Sequence, residues 1–518
     1  MEKLLVSGHS LTVDDVVQVA RGRPVELDPA CLPSLRRSRE AVEQIVAEGR
    51  IAYGITTGFG RFKDKIISPE EVRALQLNLV RSHAVGVGPL LDVEEVRGML
   101  LVRANTLCIG HSGVRPAVVQ LLLDMLNAGV HPLVPSQGSL GASGDLAPLA
   151  HLVLVMIGEG EALYHGERLA GGEALRRAGL VHLELEAKEG LALLNGTTMM
   201  VALGALNVRR AINLTLTADI AAALSLEALN GTDRAYDARV HQLRPHPRQI
   251  DSARFLRLVV AGSELLRGHN SLNVQDAYTL RCVPQVHGAV RDAIAYAQWV
   301  INIELNAVND NPLIFVDERS GEIDVISAGN FHGEPIAIAM DYSALAMTEL
   351  GNMSERRTAR LVNADSNGGV LPMFLIDQGG LQSGLMMAQY TAAALASENK
   401  VLAHPASADT IPSSADVEDH VSMGPAAVRQ FGQILRHAET IVAIELLCAA
   451  QGVDFRLREL GRSAAALGEG TRVAYELIRQ HVPFLSADRP LAPDIETLRA
   501  LVAAGTVKKA VEEHLGLP

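Results

Sequence analysis

Six stretches of this chain, residues 200–230, 251–267, 286–308, 334–361, 379–401 and 422–451, repeat apolar residues at helical spacing and are rich in Ala and Leu. Several run to roughly 20–30 residues, well beyond the ~11–12 of an ordinary globular helix. Helices of that length must bury a long apolar stripe, and they do so against one another. Their small side chains set how closely. Aromatic residues make up only 3% of a chain that is 48% hydrophobic, so the core is Ala, Leu, Val and Ile and suits tight helix-on-helix contact. The expectation is a mainly α protein, a long-helix bundle and helical tail over 201–518 behind an N-terminal domain over 1–200.

Charge and cysteine usage exclude several classes. A net charge of −13 with no basic stretch argues against nucleic acid as a partner. Cys31, Cys108, Cys282 and Cys448 lie far apart without a C-x-x-C pair, so neither a zinc site nor a disulfide framework is indicated, and no metal is expected. The opening residues lack the apolar core of a signal peptide. The most apolar run, 201–230, is interrupted by Arg209, Arg210, Asp219 and Glu227 and reads as a buried helix, not a membrane span. A reducing cytoplasm fits this pattern.

The first 50 residues read as a short strand pair followed by a helix. A glycine-punctuated loop, Tyr53-Gly54-Ile55-Thr56-Thr57-Gly58-Phe59-Gly60, comes next. Ser68-Pro69-Glu70-Glu71 opens a helix with proline in its first turn, running to Arg81-Ser82-His83. Two more helices span 93–128, and a hairpin is expected within 158–180.

Between them lies Gly138-Ser139-Leu140-Gly141-Ala142-Ser143-Gly144-Asp145-Leu146-Ala147-Pro148, with three glycines in seven residues. It can be neither a plain helix nor a plain strand. The tripeptide Ala142-Ser143-Gly144 has unusual chemistry open to it. In a tight enough turn, the Gly144 nitrogen can attack the Ala142 carbonyl carbon and close a five-membered ring, losing water. A second water leaves as the Ser143 hydroxyl is eliminated. Glycine leaves the attacking nitrogen unhindered, alanine keeps the carbonyl uncrowded, and serine carries the group that departs. The product is an electrophile, which no ordinary side chain provides. A nucleophile elbow is excluded, because G-x-S-x-G fails at Asp145.

Residues 141–151, Gly-Ala-Ser-Gly-Asp-Leu-Ala-Pro-Leu-Ala-His, resemble the signature of the aromatic amino acid ammonia-lyases. Further blocks spread over about 51–455 carry the same resemblance. It implies a fumarase/aspartase-type helical fold and a homotetramer whose sites are assembled from several subunits. It also implies a 4-methylidene-imidazol-5-one formed autocatalytically from Ala142, Ser143 and Gly144, with no external cofactor.

Eliminating ammonia from an amino acid requires an electrophile to activate the amine, a base for a weakly acidic β-hydrogen and a cation for the carboxylate. By resemblance, Tyr53 and Tyr278, the latter in Gln275-Asp276-Ala277-Tyr278-Thr279-Leu280-Arg281, are the proton-handling phenols, and either could be the base. A phenol serves as base only if neighbours lower its pKa. Arg281 is expected to clamp the carboxylate with its fork, and Gln275 to share the pocket. Asn195 is expected to bind the carboxylate or orient the ring. Phe331, in Asn330-Phe331-His332-Gly333-Glu334, resembles the aromatic packed near the prosthetic ring.

Substrate choice turns on Ser82-His83 and Glu418, which resemble the histidine-using branch. A carboxylate accepts a hydrogen bond from an imidazole and gains nothing from a phenyl ring. Met386 resembles a methionine lining the imidazole pocket. Asp416-Val417 departs from the Asn-Gln that often precedes this glutamate, which bears on the hydrogen bonds supporting Glu418. The expected reaction is L-histidine to trans-urocanate and ammonia. The alternatives are a phenylalanine or tyrosine lyase, a 2,3-aminomutase, or a non-catalytic helical scaffold.

Overall fold

The computed structural model describes residues 2–68, 70–268 and 274–517. Helix accounts for 59% of the chain and strand for 8%, as the long Ala/Leu segments imply. The longest helices are Thr198–Ala228, Val283–Glu304, Glu334–Val362 and Gly424–Leu460. Residues 379–385, expected to be helical, are not; the helix begins at Met386, because Gly379, Gly380 and Gly384 break the pattern.

The chain divides into two compact units, each drawn from three stretches of sequence. Unit one comprises 1–209, 297–341 and 405–429; unit two comprises 210–296, 342–404 and 430–518.

Unit one begins with strand Leu4–Val6, helix Val13–Ala20, strand Val25–Leu27 and helix Leu32–Ala47. The two strands pair in parallel, so the first helix is the crossover that parallel pairing demands, not a later element. Thr12 starts that helix with a reciprocal capping box to Asp15. The helix to His83 begins at Val72; Pro69 lies outside the described residues. Strands Glu161–Tyr164 and Glu167–Ala170 form the expected hairpin, and Val130–Pro132 pairs beside it. Helix Val93–Cys108 is buried from Val96 onward, and a tight apolar cluster gathers Val42, Ile45, Ile55, Val72, Ile314 and Ile323. Ile55 roots the Tyr53 loop in that cluster.

Unit two shows how a helix with several charges can be core. Asp219, fully buried, accepts from His287 at 2.6 Å and pairs with Arg291. Arg357 meets Glu445 through two hydrogen bonds of 2.5 and 2.8 Å, and Ser225 donates to the same carboxylate at 2.7 Å. Arg210 pairs with Glu439 at 2.8 Å. Buried charges survive when each is matched and hydrogen-bonded. Thr198–Ala228 has the length and composition of a membrane span, yet 89% of its most apolar window is buried inside the protein.

Candidate active site

Within unit one, a cavity of about 570 Å³ is lined by Tyr53, Ser82, His83, Ser143, Asn195 and Glu418, among others. These residues come from five separate stretches of sequence.

The Ser143 turn is held from both sides. Gly196 N–H donates to the Ser143 carbonyl at 3.1 Å and Asp145 N–H to the Gly196 carbonyl at 2.7 Å, so Gly144 and Gly196 form a single parallel bridge. Gly144 has φ +84°, and a Cβ there would sit 2.1 Å from the Gly196 oxygen. Only glycine fits. From the other side, Met423 N–H donates to the Leu140 carbonyl at 3.0 Å and the Ser422 hydroxyl to the Gly141 carbonyl at 3.3 Å. The turn is therefore held by hydrogen bonds on both sides and passes through Gly144 in a left-handed conformation. Asp145 is fully buried and accepts the Met200 N–H at 3.0 Å. Burial raises its carboxyl to about 7.

Glu418 faces this turn. Its carboxylate accepts the Ser143 hydroxyl at 3.1 Å through one oxygen and the Ser413 hydroxyl at 2.9 Å through the other. Ser413 and Glu418 also pair as an isolated antiparallel bridge around a loop in which Ser414, Ala415 and Asp416 all have positive φ, +52°, +53° and +65°. Three consecutive non-glycine residues in the left-handed region are strained. The fold maintains this loop, and it aims Glu418. Support for the carboxylate thus comes from Ser413, a residue the sequence did not single out.

His83 ends the helix Val72–His83. Its Nδ1 lies 2.8 Å from the Leu79 carbonyl, which can only accept, so Nδ1 carries the proton and Nε2 offers a lone pair. Ser82 lies 3.0 Å from the same Nδ1. Burial lowers the His83 pKa, more than the nearby Glu418 charge raises it. The ring is a neutral acceptor.

Tyr53 sits in a loop fastened by its threonines: Thr56 donates to the Arg50 carbonyl at 2.6 Å, and Gly54 N–H donates to Thr57 at 3.2 Å. Gly60 N–H reaches the Tyr53 oxygen at 3.4 Å. Burial, and then the charge of Glu418, raise the Tyr53 pKa above that of an ordinary phenol, opposite to what a base needs. Asn195 caps the short helix Glu189–Leu194, and its buried Oδ1 has no hydrogen-bond partner. That helix is anchored by Lys188, which meets Asp310 at 2.6 Å with both side chains fully buried.

The remaining candidates lie elsewhere. Phe331 is half-buried in unit one, just before helix Glu334–Val362, and does not line the cavity. Gln275, Tyr278, Arg281 and Met386 belong to unit two. Tyr278 and Arg281 span a helix of only four residues, which Gln275 precedes. The Arg281 guanidinium lies 4.5 Å from the Tyr278 ring centroid, and its buried Nε has no partner. Tyr278 is 68% exposed, and Met386 is the half-buried first residue of its helix.

The serine-bearing turn thus shares one cavity with a carboxylate and an imidazole. Residues 11–480 match the aromatic amino acid lyase family, and the chain belongs to it. It is 57% identical to the histidine ammonia-lyase of Chloroflexus aurantiacus, with 99% of each chain covered. Among solved structures, it resembles histidine ammonia-lyase from Trypanosoma cruzi at 41% identity and TM-score 0.90, covering 100% of this chain and 96% of that one. It resembles a tyrosine aminomutase from Streptomyces globisporus at 39% identity and TM-score 0.93, with 99% of each covered. The fold is the fumarase-like helical fold of these enzymes.

Proposed function

We propose that the chain removes ammonia from L-histidine to give trans-urocanate, in keeping with the similar proteins named histidine ammonia-lyase. The observation that carries this reading is the pair of acceptors on one cavity, the Glu418 carboxylate and the His83 Nε2. An imidazolium ring has two N–H donors to offer them. A phenyl or phenol ring would leave at least one of these half-buried acceptors without a ring N–H to accept. Protonation of the ring also draws electrons from the β-carbon and makes its hydrogens more acidic.

Ala142, Ser143 and Gly144 would form the 4-methylidene-imidazol-5-one, whose methylene carbon is an electrophile that takes up the substrate and makes its amine a leaving group. The bent turn and the glycine-only contact at Gly144 fit that group. Tyr53 or Tyr278 takes the β-proton. For Tyr53, burial is the main cause of the raised pKa, and a substrate cation held by Glu418 offsets only the smaller contribution of the Glu418 charge. Arg281 holds the carboxylate with Gln275 beside it, and Asn195 offers its free oxygen to the substrate ammonium or ring. Phe331 and Met386 pack around the reacting groups.

Gln275, Tyr278 and Arg281 belong to unit two, and from the family resemblance we infer that several copies of the chain build each site in a homotetramer. Exposed apolar side chains on long helices, Trp299, Ile303 and Ile338 in unit one and Tyr342 and Leu345 in unit two, are available for contact with other copies.

The deciding experiment is incubation with L-histidine, following urocanate by ultraviolet absorbance, beside a Ser143→Ala control and with intact mass recorded. Urocanate from a chain lighter by two waters, and none from the control, is the expected result. Equal activity in the control removes the mechanism, and β-histidine as product makes the protein an aminomutase.

A further inference from the structure

We propose that His332, Glu334 and His420, all in unit one, bind a first-row divalent metal ion close to the loop that carries Glu418. These three side chains offer ligand atoms within 4.8 Å of one another. They come from two distant stretches, the turn leading into helix Glu334–Val362 and the segment just after Glu418.

The imidazoles are the first argument. His332 Nε2 and His420 Nδ1 lie 3.4 Å apart, with the rings 27° from parallel and their centroids 5.4 Å apart. That separation is long for an N–H···N hydrogen bond. It matches the distance between two nitrogens each ~2.0–2.1 Å from a tetrahedral ion, which is about 3.3–3.4 Å.

The carboxylate is the second, independent argument. Glu334 Oε2 is buried and has no hydrogen-bond partner. A buried carboxylate oxygen without a donor is costly. Glu334 stands in the first turn of its helix, where the dipole favours a negative charge, but the dipole gives Oε2 no donor. A metal-free imidazole pair sharing one hydrogen would account for the rings and leave this oxygen unexplained. A cation accounts for all three groups.

Two histidines and one carboxylate are a common donor set for divalent zinc, iron, manganese or cobalt, and they leave positions open for water or substrate. The proton inventory is simple. The Glu334 N–H reaches His332 Nδ1 at 3.3 Å, so without metal the His332 proton resides on Nε2. On binding, that proton moves to Nδ1 of the same ring, the long amide contact is given up, and Nε2 becomes a ligand. No charge is lost and no oxidant is needed. His420 follows Glu418 by two residues, so an ion here would pin the strained 413–418 loop to the start of helix Glu334–Val362.

The test is a titration of the chelator-treated, full-length protein with cobalt(II) chloride, without substrate. Visible d–d absorption saturating at one equivalent per chain is expected. His332→Ala and His420→Ala should each abolish that absorption, and Glu334→Gln should weaken binding at least tenfold. Far-UV circular dichroism shows whether each variant is folded, and the isosteric Glu334→Gln decides if an alanine variant is not. Absence of the absorption in the parent protein, or unchanged cobalt binding in the folded variants, overturns the site. The readout does not depend on catalysis, so its failure is separate from any failure of the lyase reading.

Discussion

The Ser143 hydroxyl donates to the Glu418 carboxylate at 3.1 Å, across 275 residues of chain. The residue expected to become the electrophile and the residue expected to read the substrate ring therefore share one hydrogen bond before either acts. Glu418→Gln keeps an oxygen that can accept from Ser143 but removes the charge that favours imidazolium. The kcat/KM for L-histidine is expected to fall roughly 10–100-fold, the worth of one charged hydrogen bond. Intact mass should still show the loss of two waters. Steady-state kinetics and mass spectrometry on the same preparation check both halves.

Gly196 is the second test of the turn. A Cβ on it would lie 2.4 Å from Asn309 Oδ1 and 2.9 Å from an Arg103 nitrogen, and its φ is +117°. Gly196→Ala should destabilise the chain by roughly 1–3 kcal/mol through overpacking and leave part of the population with an uncondensed 142–144 peptide. Thermal unfolding and intact mass measure the two effects.

The Asp145 carboxyl supplies a pH signature. Its folded pKa is about 7 against an ordinary 3.8, so between those values the folded protein holds a proton that the unfolded chain has released. Its contribution to stability is greatest at low pH and declines as pH rises from about 4 to 7. Asp145→Asn should remove this term and raise stability above pH 7, by on the order of 1–4 kcal/mol, with little gain near pH 4. Melting temperatures of both proteins at pH 5 and pH 8 provide the comparison.

Lys188 and Asp310 make a fully buried pair at 2.6 Å beneath the helix that ends in Asn195. Lys188→Met strands the aspartate and should destabilise the fold by about 3–5 kcal/mol. The double variant Lys188→Met, Asp310→Leu should recover part of that loss. A double-mutant cycle read by unfolding separates the pair from its surroundings.

His83 bears on substrate choice. Its lone-pair nitrogen is fixed by the Leu79 carbonyl, so His83→Leu should reduce kcat/KM for L-histidine roughly tenfold or more while narrowing the gap to L-phenylalanine. Parallel assays on the two amino acids give the ratio directly.

Features that depend on contiguous residues were legible in the sequence. The long helices announced themselves by period, and the 142–144 turn by a chemistry that needs three successive residue types. His83 and Glu418 were reached through resemblance, since nothing local marks either as a ligand. Ser413 could not be found that way. Its contact with Glu418 depends on three left-handed, non-glycine residues, a geometry imposed by the fold and opposed by local preference. The opening strands are three residues each, too short to show alternation, and the four-residue helix at Tyr278 is too short to show a helical period. The cluster of His332, Glu334 and His420 has no motif spacing and emerges only in three dimensions.

The bridge between Gly144 and Gly196 carries one more implication. The bend at the condensing peptide depends on a glycine supplied by a later part of the chain, so a nascent or truncated polypeptide ending before residue 196 lacks the anvil against which its own backbone is to be closed. Two missing waters in the mass of a purified sample would then certify that those molecules had once reached the native arrangement, whatever had happened to them since.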